Sequence, residues 1–195
     1  MILAFYSDPL EKAIVQEIVQ WSTEALEKPS PFFNNLPPCP YARNALLNNK
    51  VAIIFKREDS YQTLYSCVSQ FDDSFELAII VDLCNEKTPN QFHEYLDDMN
   101  EAISKGMFID QDIWLMGFHP DDEPSDFVAD IDFDYEDDTE YCMIFVQRLS
   151  KLQQAADKLD KKGYYDSYDG EYDASEIYKR RNQLYRRLKN GYETT

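Results

Sequence analysis

Two short apolar runs, Val51-Ala52-Ile53-Ile54-Phe55 and Leu77-Ala78-Ile79-Ile80-Val81-Asp82-Leu83, constrain the fold of this chain more than any other feature. Runs of this length, rich in β-branched residues, suit strands buried on both faces. Between them Tyr61, Leu64, Val68 and Phe71 recur at helical spacing, so a helix from about Ser60 joins the two strands. A strand, a helix and a strand in succession call for a layered sheet with helices packed on it.

The rest of the chain extends that plan. Asp8 followed by Pro9 opens a helix with Leu10, Ile14, Ile18, Trp21 and Ala25 on one stripe. The prolines at 29, 31, 37, 38 and 40 then forbid regular structure, while Phe32, Phe33 and Leu36 call for burial. Thr88-Pro89-Asn90-Gln91 has the form of a capping box with proline at the first helical position. Phe92, Leu96, Met99 and Ile103 form the inner face of that helix, and Gly106 is its natural stop. Residues 112–120 supply a third strand ended by Pro120, and Cys142 to Val146 read as a fourth strand or as the opening of the helix marked by Leu149, Leu152, Ala156 and Leu159. The expected class is therefore α+β: a small layered sheet, with a ferredoxin-like arrangement among the candidates, flanking helices and a C-terminal helical tail. Residues 1–162 form the expected domain. Residues 163–195 form a charged linker and a final helix over 176–189, with Asp173 and Glu176 as its cap and six of the nineteen basic residues.

A formal net charge of −18 repels phosphate backbones, so nucleic acid is not an expected partner, whereas a basic protein is. Residues 121–140 alone hold eleven acidic side chains, a density that suits a solvated loop. No run approaches the roughly 20 apolar residues of a membrane span, and the N-terminus lacks the basic start of a signal peptide. Four scattered cysteines without a C-x-x-C pair suit a reducing cytoplasm. With five glycines there is no phosphate-cradling loop, and no G-x-S-x-G or H-E-x-x-H motif occurs.

Three residues are candidates for chemistry. If Pro40 opens a helix, Cys39 is its N-cap, where free amides and the helix dipole favour a thiolate. His119 ends the third strand beside Asp121 and Asp122, a setting for a general base or metal ligand. Arg148 could bind an anionic group through both its nitrogens. His93, next to inward Phe92, reads as surface, and Asp130, Asp132 and Asp134 would share one face of an extended segment able to hold a divalent cation weakly.

Trp21, Cys39-Pro40-Tyr41-Ala42, Phe92-His93-Glu94-Tyr95-Leu96-Asp97, Phe118-His119-Pro120 and Val146-Gln147-Arg148 follow one another in an order that resembles a family of small bacterial proteins known only as a domain of unknown function. That family's pattern carries Cys-Pro-Phe-Ala and Phe-His-Pro motifs, and the resemblance covers about residues 15–160. It implies site residues and no reaction or cofactor. The Tyr- and Asp-rich tail is similar in style to small acidic phage-encoded proteins.

The expected function is that of an acidic binding or accessory protein acting through its acidic loop and C-terminal helix, as a monomer or a homo-oligomer. The alternative is a small enzyme or metal-binding protein that uses Cys39, His119 and Arg148 on an anionic small molecule. The residues specify neither cofactor nor metal.

Overall fold

In the computed structural model, residues 6–108, 110–122, 141–166 and 174–190 are described, the first three of the last range by backbone alone. Helix α1 (Pro9–Trp21) starts as its sequence predicts: Asp8 accepts a hydrogen bond from the Leu10 amide, and Pro9 occupies the first turn. It runs on as a π-helical turn, Ser22–Leu26. A 3-10 turn, Pro31–Phe33, and α2 (Ala42–Leu47) lead to β1 (Val51–Lys56). There follow α3 (Gln62–Gln70), β2 (Leu77–Asp82), α4 (Pro89–Ser104), β3 (Ile113–Phe118), β4 (Cys142–Arg148), α5 (Leu149–Asp160) and α6 (Ala174–Asn190). The segment Cys142–Arg148, which the sequence left between strand and helix, is a strand that passes directly into α5.

The sheet order is β1-β2-β4-β3, with β1 and β2 parallel and β4 antiparallel to both neighbours. The protein is thus α+β with flanking helices. Around the sheet its elements run β-α-β-α-β-β-α, whereas a ferredoxin-like sheet runs β-α-β-β-α-β. Alternation along the strands sorts the core into two layers. On one face Ala78, Ile80, Leu115, Ile144 and Val146 meet Leu64 and Val68 of α3 and Phe92, Leu96 and Ile103 of α4. On the other, Ile53, Ile79, Val81 and Met143 meet Ile14, Val15 and Ile18 of α1 and Ala45 of α2. A satellite cluster of Phe33, Leu159 and Tyr164 buries the aromatic part of the proline-rich loop.

Two details set how closely α4 approaches edge strand β3. A Cβ on Gly117 would lie 2.3 Å from Leu96 Cδ1 and 2.5 Å from Phe92 Cε1, so only glycine permits this packing without rearrangement. Asn100, buried at 2% exposure, accepts from the Leu115 amide (2.8 Å) and donates to the Leu115 carbonyl (2.9 Å). Its carboxamide supplies the donor and acceptor that a fifth strand would otherwise bring, which closes that edge at its centre.

Helix α6 packs on α5 and α4. Leu184 is buried against Trp114 and Leu149, with Leu152, Tyr185 and Leu188 around it. The proposed Asp173 and Glu176 cap lies outside the described side chains, as does the acidic segment 123–140 with Asp130, Asp132 and Asp134.

Candidate functional site

The three residues singled out by sequence occupy separate places, and among the described residues no hydrogen bond or ion pair joins any two of them. Helix α2 begins at Ala42 with Tyr41 as N-cap, so Cys39 is not the cap that Pro40 suggested. The Cys39 carbonyl instead accepts from the Ala42 amide in a turn, and the Cys39 amide donates to Leu26. The expected amide contacts to sulfur do form, from Tyr41 and Ala42, and they favour a thiolate. Burial outweighs them, and Glu27 adds to it, so the Cys39 pKa is raised rather than depressed.

His119 lies just past β3 and is 4% exposed. Its Nδ1 accepts from the Asp121 amide (3.1 Å), which leaves the proton on Nε2, and Nε2 donates to the Lys87 carbonyl (2.8 Å). Both ring nitrogens are therefore engaged by backbone. Of the flanking carboxylates, Asp121 Oδ2 lies 3.8 Å from Nδ1, and Asp122 accepts from the His119 amide and from His93, which is exposed as expected. Arg148 sits at the opposite end of the sheet. Phe118 pairs with Met143 and Ile113 with Arg148, which separates the two ends by roughly 17 Å at about 3.3 Å per residue. The anion that Arg148 binds is the chain's own Asp110, while its other nitrogen donates to the Phe71 carbonyl (2.7 Å). Among the described residues no three His, Cys, Asp or Glu side chains gather as a metal-binding set.

What the fold does bring together is charge. Helix α6 carries Lys179, Arg180, Arg181, Arg186, Arg187 and Lys189, and it lies along α4, whose outer turns carry Asp97 and Glu101. Arg180 pairs with the Asp97 carboxylate and donates to the Asp97 carbonyl (2.9 Å). Arg187 bonds Glu101 at 2.9 Å, and Lys105 approaches the same carboxylate at 3.3 Å. Burial works against the Glu101 anion, but the bonds and charges of Arg187 and Lys105 outweigh it and hold its pKa below the ordinary value. Arg181, 8% exposed, reaches Gln153 of α5 and lies over the Tyr178 ring. Trp114 Nε1, in the cluster that α6 covers, is buried with no acceptor among the described residues. Sequence reasoning missed the α4 half of this surface. Its signal is the spacing of Asp97 and Glu101, four apart on α4, against Arg180 and Arg187, seven apart on α6.

A second polar cluster also went unread. Lys56 and Asp82 end the two parallel strands and are register partners, and their side chains bond at 2.8 Å. Their signal is the repeated pattern of an apolar strand closed by one charge, Ile-Ile-Phe-Lys and Ile-Ile-Val-Asp. Asp82 also accepts from the Cys84 amide (3.0 Å), which anchors the turn leading to Asn85 and Lys87. His119 holds that turn from behind through the Lys87 carbonyl.

No protein-family model, no curated protein and no solved structure matches this chain. No helix among the described residues is long and apolar enough to cross a membrane.

Proposed function

We propose that this chain is a binding or accessory protein without catalytic chemistry of its own, working through its acidic surface and the basic helix α6. The observation that carries this reading is the docking of α6 on α4 through Arg180–Asp97 and Arg187–Glu101. The acidic surface already holds a basic amphipathic helix in this way, and the same chemistry suits a basic helix presented by a partner. Apolar anchorage of α6 centres on Leu184, and the covered Trp114 has no acceptor among the described residues, so the contact is open to exchange. The acidic residues at 121–140 add to the attraction, a term that raises association rate more than final affinity. Four free cysteines suit a reducing cytoplasm. The enzyme alternative gains no support from the placements of Cys39, His119 and Arg148, and the motif resemblance adds residues and no reaction.

The test uses the full chain and a labelled synthetic peptide of residues 174–190. Arg180→Ala/Arg187→Ala loosens the chain's own helix, so the variant should bind the peptide at least tenfold more tightly than the unmodified chain. Affinity should also fall as salt is raised. A variant that is folded and takes up no peptide at low salt removes the reading.

A further inference from the structure

At the carboxyl ends of β1 and β2 lies a cavity of about 140 Å³ whose polar lining includes Lys56, Asp82, Asn85, Lys87, Tyr61 and Tyr95. Carboxyl ends of parallel strands are where open α/β sheets hold small ligands. Its apolar wall comes from Leu64, Ile80, Phe92 and Ile144.

Hydrogen-bond capacity in this cavity is unevenly used. Asp82 is satisfied, accepting from Lys56 on one oxygen and from the Cys84 amide on the other. The Lys56 ammonium has three donors, of which one is committed to Asp82 at 2.8 Å, while Asp59 is 3.8 Å away and 84% exposed. The Lys87 ammonium lies over the Tyr95 ring at 5.3 Å. Asn85 Nδ2 donates to the Lys87 carbonyl (3.0 Å), which fixes the amide's orientation and makes Oδ1 the other atom. That Oδ1 is buried and has no donor among the described residues. A buried amide oxygen left so is costly unless something donates to it. Tyr95 stays protonated throughout the physiological range, its pKa pushed up to about 12 by burial first and then by Tyr61, Asp82 and Asp59.

We infer that this cavity binds a small organic carboxylate that also carries an N–H or O–H donor, the chemistry of an amino or hydroxy acid. The carboxylate meets those donors of Lys56 and Lys87 that have no acceptor among the described residues, and the ligand's own donor meets Asn85 Oδ1. This inference is independent of α6 and its partner.

Calorimetric titration of the full chain tests it with four probes: L-serine and glycolate, which carry both groups, acetate, which lacks the donor, and ethanolamine, which lacks the carboxylate. One of the first two should bind saturably at one site, with acetate and ethanolamine at least tenfold weaker. Asn85→Ala should erase the preference over acetate. Lys87→Met should weaken every carboxylate at least fivefold while keeping the carbonyl that Asn85 and His119 use. Should Asn85→Ala fail to fold, the probe ranking and Lys87→Met still decide. Acetate binding as tightly as the better of L-serine and glycolate, a preference that survives Asn85→Ala, or no saturable heat with any probe overturns the inference.

Discussion

Lys56–Asp82 and Arg187–Glu101 are both ion pairs of nearly equal length, 2.8 and 2.9 Å, yet they do different work. The strand-end pair is withdrawn from solvent, its side chains 11% and 5% exposed. The interhelical pair, at 38% and 29%, remains in contact with water. Removing charges from water costs several kcal/mol per ion, so the first pair is held in place by the sheet around it and fails badly if one partner is lost. The second is a contact that solution conditions can tune. Distance alone therefore says little about an ion pair, and the environment supplied by the fold decides whether it is a fixed part of the structure or an adjustable one.

The largest effect expected from this contrast is at the strand ends. Asp82→Ala leaves a buried ammonium with only the exposed Asp59, at 3.8 Å, as counter-charge and should cost about 3–5 kcal/mol in urea unfolding, whereas Lys56→Met/Asp82→Leu should cost far less. A loss below about 1 kcal/mol for the single variant would put the two pairs in the same class and break the comparison. Next in size is Leu184→Ala, expected to weaken α6 docking by about 2 kcal/mol. Hydrogen exchange should then rise in α6 and stay unchanged in β2 and β4, which separates local release from global destabilisation.

Smaller again is the interhelical pair. Arg187→Ala should cost under about 1 kcal/mol, with the cost fading towards molar salt. Because the folded Glu101 pKa is depressed, its contribution is complete above the ordinary glutamate value of about 4.3 and is lost as pH falls through the lower folded value. The Leu184 methyl signals in NMR, followed from pH 6 to 3, should report that loss. A midpoint above 4.3 would reverse the assigned sign. The smallest expectation concerns a rate: with its pKa raised, Cys39 should alkylate more slowly at pH 7 than a model thiol, and a faster rate would restore the reactive-cysteine reading.

Helix starts were legible because they are written in local chemistry. Thr88 and Gln91 form both bonds of the capping box, and Gly106 stops α4 at φ +85°. Strand existence was equally local. Register was not, and the Lys56–Asp82 meeting depends on it: the apolar runs show that two strands exist without saying that their last residues stand side by side. Asn100 escaped notice for a similar reason, since its role needs an edge strand that no spacing within α4 reveals. At Cys39 the local signal misled: a proline two residues before Ala42 fits a turn as well as a first helical turn, and the burial that raises the thiol pKa is a tertiary effect. His119 and Arg148 lie at opposite ends of the sheet through the antiparallel pairing of β3 with β4, again a matter of topology.

The chain's two tryptophans stand in unlike surroundings, and that makes the protein its own optical gauge. Trp21 packs against Phe118 and Phe145 on the side of α1, whereas Trp114 is 3% exposed in the cluster that α6 covers. Trp21 is already partly exposed, so when α6 leaves only the Trp114 indole changes its contact with water. Emission from Trp114 then moves to the red while Trp21 holds its colour, so a Trp21→Phe chain would report the position of α6 by fluorescence with no attached dye.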